Sequence, residues 1–204
     1  MRRERTFKKS LLFLAIMSIM IFAMSITASA AATNIKQTEG TKSYVELSWD
    51  SSNGRADYYK VYYSTSENGK YTAATSYTSS STSKMITDLN AGSTYYIKVA
   101  SYSNYNSSTA YNVSAPVQVV TAPVSVNSSS ILQTAGTPSS FTVGWSKVVG
   151  ATGYIVTKDN GSSKASKKVS TNKASISATA GSRYNVDVVA YRKAPKTGFV
   201  AKSY

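Results

Sequence analysis

The feature that most constrains this chain is that it says the same thing twice. "NAGSTYYIKVASYS", beginning at Asn90, is answered by "TAGSRYNVDVVAYR", beginning at Thr179, 89 residues later. Both carry Ala-Gly-Ser-x-Tyr and then alternate apolar with polar residues. The echo is wide. "IKQTEGTKSYVELSW", from Ile35, lines up with "ILQTAGTPSSFTVGW", from Ile131, so that Ile, Gln, Thr, Gly, Thr, Ser and Trp coincide at an offset of 96. "ADYYKVYYS" and "ATGYIVTKD" follow at an offset of 95. The offset falls between the third strand and the Ala-Gly-Ser motif, which places a deletion of about six residues in a surface loop of the second copy. A period near 90 residues is too long for a solenoid unit and fits tandem domains.

Each copy reads as strands. In "YVELSW" the residues Val45, Leu47 and Trp49 share one face, and in "YYIKVAS" so do Tyr95, Ile97 and Val99. A period of two means sheets with one buried face. Turn residues punctuate the runs, as in "SSNG" at Ser51 and "DNG" at Asp159. No amphipathic helix interrupts them. Ser, Thr, Tyr and Val are abundant, which suits half-buried strands and polar turns.

The chain begins differently. "MRRERTFKKS" is basic, "LLFLAIMSIMIFAM" is apolar, and Ala28-Ser29-Ala30 is a small-residue cleavage signal. Residues 1–30 are expected to be a secretory signal peptide, too short in its apolar run for a bilayer span of about 20 residues. The organisation expected is residues 1–30 as signal, 31–121 as the first domain, 122–130 as a linker and 131–204 as a shortened second domain, two bodies on a short tether. No segment of the mature chain is apolar enough to cross a membrane.

Here the residues carry a resemblance. A buried Trp on an early strand (Trp49, Trp145) is followed by a Tyr-x-Val strand (Tyr59, Tyr154). Leu-x-x-Gly-x-x-Tyr (Leu89, Gly92, Tyr95) then opens a later strand. Together these resemble a fibronectin type III domain. The resemblance implies an all-β fold of two tandem immunoglobulin-like β-sandwiches. It also implies a tyrosine corner at Tyr95 and Tyr184, with the ring in the core and the hydroxyl on nearby backbone. Trp49, Tyr59, Tyr95, Trp145, Tyr154 and Tyr184 are the expected core aromatics. The second copy departs from the pattern in having Ala178 where Leu89 stands, and its last strand has to come from "TGFVAKSY". That strand is expected to be short.

Chemistry finds little to work with. The chain has no His and no Cys, which removes imidazole acid–base schemes, Cys nucleophiles and disulfides. Ser81 and Lys84 make a Ser-x-x-Lys match with no helix to present it. Asp50 and Asp57 flank one loop, where turn-making is the common role of Asp. No metal and no cofactor is expected, and the chain reads as non-catalytic.

Binding is the remaining class. Residues 31–121 hold seven Lys plus Arg against six Asp plus Glu, and residues 122–204 hold eleven against two, so the second copy carries +9. Its cations cluster in one set at Lys158, Lys164, Lys167, Lys168 and Lys173, and another at Arg192, Lys193 and Lys196. Such a domain attracts an extracellular or cell-wall polyanion. The dominance of Lys over Arg indicates a diffuse field rather than bidentate phosphate reading, and no specific nucleic-acid recognition. Tyrosine is the second candidate. Strand alternation turns Tyr58, Tyr62 and Tyr96 outward, and Tyr102, Tyr105 and Tyr111 lie in or beside a late hairpin, where aromatic rings stack on sugars or anchor proteins. The expectation is a secreted, cell-surface binding, adhesion or spacer protein of Gram-positive type, meeting an anionic polymer or a surface protein. A carbohydrate-binding accessory module using exposed tyrosines is the alternative.

Overall fold

In the computed structural model, residues 31–51, 58–75, 79–103 and 108–204 are described. The expected signal peptide, Asp57 and Tyr105 lie outside them. The first sandwich is built from β1 (Thr33–Gly40), β2 (Val45–Asp50), β3 (Tyr58–Ser64), β4 (Thr72–Ala73), β5 (Ser83–Ile86), β6 (Thr94–Tyr102), β7 (Asn112–Val113) and β8 (Val117–Val120). One sheet runs β1-β2-β5. The facing sheet runs β4-β3-β6-β7, with β8 also on β6. The second sandwich repeats this with β9 (Leu132–Thr137), β10 (Ser140–Gly144), β11 (Gly153–Asp159), β12 (Lys164–Val169), β13 (Lys173–Ser177), β14 (Asn185–Lys193) and β15 (Val200–Lys202). Its sheets run β13-β10-β9 and β12-β11-β14-β15. All pairings are antiparallel. The fold is all-β, as the alternation requires.

The cores follow the period of two. Val45, Leu47 and Trp49 alternate with half-buried residues along β2 and meet Tyr59, Val61, Tyr95, Ile97 and Val99 from the other sheet. Val143, Trp145, Tyr154, Val156, Ile176 and Val188 do the same in the second sandwich. The Trp–Tyr contact recurs edge to face, with ring centroids 5.8 Å apart for Trp49–Tyr59 and 5.2 Å for Trp145–Tyr154, the arrangement that aromatic quadrupoles favour.

The repeated motif is a turn. Gly92 and Gly181 sit at φ +60° and +75°, where a Cβ is strained. Three residues on, the tyrosine hydroxyl receives a backbone N–H: Asn90 donates to Tyr95 at 2.9 Å and Thr179 to Tyr184 at 3.0 Å. Both tyrosine corners are therefore formed. The expectation that Tyr184 is a core residue is corrected. Tyr95 is 4% exposed, whereas Tyr184 is only half-buried, because Val119 of β8 pairs with Tyr95 and no strand pairs with Tyr184 among the described residues.

The tether expectation also changes. Ala122 is 1% exposed, Pro123 is among the fully buried residues, and the Ala122 N–H donates to Thr41 O at 2.9 Å. Val120, Ala122, Ala194 and Ala201 form a third buried cluster with Phe199 packed on it. This cluster joins the two sandwiches. A 3-10 turn, Ser128–Ser130, capped by the Asn127 side chain, leads into the second one.

Candidate functional site

The basic residues of the second sandwich do not form one patch. Strand parity sorts them. Tyr154 and Val156 point inward from β11, so Lys158 does too. The register pairs Val156 with Lys167 and Ile155 with Lys168, so Lys167 is inward on β12, and Lys164 and Lys168 are outward. The two inward lysines cross the open side of the sandwich to the edge strand β13. The Lys158 ammonium donates to Ser177 O at 2.7 Å, and Lys167 donates to Ser175 O. Lysines turned inward at a sheet edge are a known guard against strand-to-strand aggregation. Lys158 and Lys167 keep their charge but have their ammonium groups directed at the backbone carbonyls of β13.

The second cluster is likewise divided. Arg192 is half-buried. One of its terminal nitrogens donates to Gly150 O at 2.8 Å and the other to Thr94 Oγ1 at 2.8 Å, in the first sandwich. The Lys196 N–H donates to Gln118 Oε1 at 2.9 Å, and its ammonium pairs with Glu67 at 2.6 Å. The bond to Glu67 raises the Lys196 pKa above its usual value. Arg192 and Lys196 therefore serve the contact between sandwiches. Four of the eight candidates remain exposed without these duties: Lys164, Lys168, Lys173 and Lys193. Lys164, Lys168 and Lys193 share the outer face of the β12-β11-β14-β15 sheet, joined by Lys202, which pairs with outward-facing Tyr191. Lys173 lies on the opposite sheet, next to inward Ala174.

The tyrosines are more covered than alternation alone suggests. Tyr58, Tyr62 and Tyr96 are half-buried. Tyr62 and Tyr102 share a hydroxyl–hydroxyl bond of 3.0 Å. Lys60 stands 6.0 Å from the Tyr62 ring centre and Lys196 stands 5.9 Å from that of Tyr96. Tyr102 belongs to β6, is 5% exposed and is corrected from a contact residue to a buried one. Burial, then the Tyr62 bond, pushes its phenol up to about 12. Tyr111 is exposed at 48%. Among the described residues no group of three or more potential metal ligands occurs, and no helix is long and apolar enough to cross a membrane.

The family model "Fibronectin type III domain" matches residues 30–120. The matched stretch coincides with the first sandwich. No curated protein sequence matches the chain. The two-domain fibronectin type-III segment of chicken tenascin is similar at 19% identity. It covers 85% of this chain and 95% of that one, with a TM-score of 0.43. The FN1–FN3 domains of chicken CNTN1 are similar at 15% identity over 86% of this chain and 67% of that one, with a TM-score of 0.47.

What the sequence reading missed is the contact between the first and the second sandwich. Thr94, Gln118 and Glu67 of the former receive Arg192 and Lys196 of the latter. Gly92 and Gly150 meet backbone to backbone: a Cβ on Gly150 would lie 2.2 Å from Gly92 O. The available signal was the glycine pair, each flanking a strand in turn sequence. Nothing in one-dimensional spacing says that two such turns touch.

Proposed function

We propose that the protein is a non-catalytic extracellular binding and spacer protein. Residues 1–30 direct its export, and it acts at a cell surface of Gram-positive type. The domain limits are those given by the repeat: residues 31–121, a join over 122–130, and 131–204. The fibronectin type III domain and the packed join supply a stiff spacer. The second sandwich supplies the contact, through the outer face of its four-stranded sheet, to an anionic polymer. The observation that carries this is the outward, unengaged placement of Lys164 and Lys168 on edge strand β12, with Lys193 on the same face.

Three phosphate contacts predict a roughly 20- to 40-fold loss of affinity between 50 and 200 mM salt. The test is co-sedimentation of residues 31–204 with Gram-positive cell walls, with and without teichoic acid, across that salt range. Replacing Lys164, Lys168 and Lys193 with Gln should abolish pull-down, while replacing Lys158 and Lys167 should leave it intact. Pull-down that ignores salt and teichoic acid would refute the basic face and favour the tyrosine reading, with Tyr111 as the first ring to remove.

A further inference from the structure

Gly153 faces outward and is nonetheless buried. Tyr154 and Val156 point inward from β11, which turns Gly153 and Ile155 to the outer face of the four-stranded sheet. A residue without a side chain is buried on that face only if something covers it. The cover is Tyr191, its partner on β14. A Cβ built on Gly153 would lie 2.5 Å from the Tyr191 hydroxyl oxygen and 2.6 Å from its Cζ. Those atoms are the tip of the side chain. Paired strands run about 4.8 Å apart, so a tip that touches the neighbouring backbone belongs to a ring reclining across the sheet, not standing on it. Tyr191 is half-buried, as one covered face and one open face require.

The first sandwich is built differently at the same place. The position matching Tyr191 is Tyr102, and its strand partner, matching Gly153, is Tyr58. A ring at Tyr58 leaves no bare backbone to recline on. Tyr102 is held instead by the hydroxyl of Tyr62 at 3.0 Å and is 5% exposed. In the second copy Gly153 stands for Tyr58 and Thr157 for Tyr62. Both aromatic neighbours are gone, and the remaining ring lies down as a flat plate. Half-buried Ile155 and Val189 extend it with an apolar row.

The plate stands at the cationic end of the face. Lys202 pairs with Tyr191 from β15. Lys193 follows two positions on along β14, and Lys168 lies opposite Ile155 on β12. The outward carboxylates lie toward the other end, Asp187 opposite Thr157 and Asp159 opposite Asn185.

Resting on the reading that this face meets an anionic polymer, we propose that the polymer is a glycosylated one. It is a phosphodiester chain bearing pyranose rings, with one ring stacked on Tyr191 and flanking phosphates at Lys168 and Lys193. A chain of phosphates alone uses the lysines and leaves the plate bare. A pyranose ring offers a flat face of C–H groups to the phenol and keeps its hydroxyls in water. A nucleobase also stacks, but single-stranded nucleic acid is gripped by several rings in succession. Among the described residues Tyr191 is the only outward aromatic residue on β11, β12, β14 and β15.

The probe is poly(glycerol phosphate) bearing glucose, compared with the same chain stripped of its glucose, each titrated into residues 31–204 at about 50 mM salt. Charge per phosphate is the same in both, so counterion release cancels in the comparison. The glucosylated chain should bind roughly five- to tenfold more tightly. Tyr191→Leu, which still covers Gly153, should erase that preference, and Tyr191→Phe, which keeps the ring, should retain it. If Tyr191→Leu does not fold, the wild-type comparison decides by itself. Equal affinity for the two polymers overturns this inference and leaves the basic face standing, whereas no binding of either overturns both. A folded Tyr191→Leu variant that keeps the preference also overturns it. So does oligothymidylate that binds more tightly than the glucosylated chain at equal phosphate, which gives the ring to a nucleobase.

Discussion

Gly150→Ala tests whether the two sandwiches are held in register. Gly150 lies at φ +77°, where an added Cβ costs roughly 1–2 kcal/mol by itself. That Cβ would also stand 2.2 Å from Gly92 O and 2.6 Å from Gly92 Cα. Both neighbours are backbone, so no rotamer change relieves the overlap, and the turns must separate by about an ångström. Arg192 bridges these turns, holding Gly150 O and Thr94 Oγ1 at 2.8 Å each. Two half-buried, charge-assisted bonds contribute about 1 kcal/mol each once discounted for solvent. The variant should therefore lose about 3–4 kcal/mol. The control is Gly161→Ala, at φ +83° with nothing within 4 Å of the added carbon, which should lose only the conformational cost of roughly 1–2 kcal/mol. Denaturant unfolding of residues 31–204 measures both, and small-angle scattering should show a more extended particle for Gly150→Ala alone. Equal losses within about 0.5 kcal/mol, with identical scattering curves, would refute the claim that this contact sets the arrangement.

Tyr95→Phe should lose about 1 kcal/mol, since it removes the partner of the Asn90 N–H at a part-buried site; Tyr184→Phe should lose distinctly less, because its ring is half-exposed, and thermal unfolding of the pair checks the order. Above pH 10 stability should fall. The unfolded chain releases the Tyr102 proton near 10.0 while the folded chain holds it to about 12, so the folded state binds more protons across that window. Denaturant midpoints from pH 8 to 12 should decline less steeply in Tyr102→Phe. Lys167→Met should leave stability near neutral pH little changed but raise aggregation, read by light scattering, because it removes an inward charge from a sheet edge.

The sequence carried the fold because alternation is local information. Val45, Leu47 and Trp49 fall on one face whatever lies opposite them, and Ala-Gly-Ser-x-Tyr encodes its turn through a glycine at positive φ and a tyrosine hydroxyl within reach of the N–H just before the motif. The candidate site was less legible. Lys158, Lys164, Lys167 and Lys168 look alike in one dimension. Parity against Tyr154 and Val156 separates them in principle, but where an inward ammonium goes depends on a carbonyl supplied by β13.

Two things were therefore determined by the sequence alone: that there are two sandwiches, and which residues of the alternating strands fill them, with Tyr102 and Tyr184 the exceptions. Only the tertiary structure decided what lies between and beside them. Arg192 finds Thr94 across 98 positions, and Gly150 finds Gly92. The contacts of Arg192 and Gly150 rest on surfaces meeting in space, and the free energy of such a meeting depends on distance and shape, which no pattern of neighbours along the chain records.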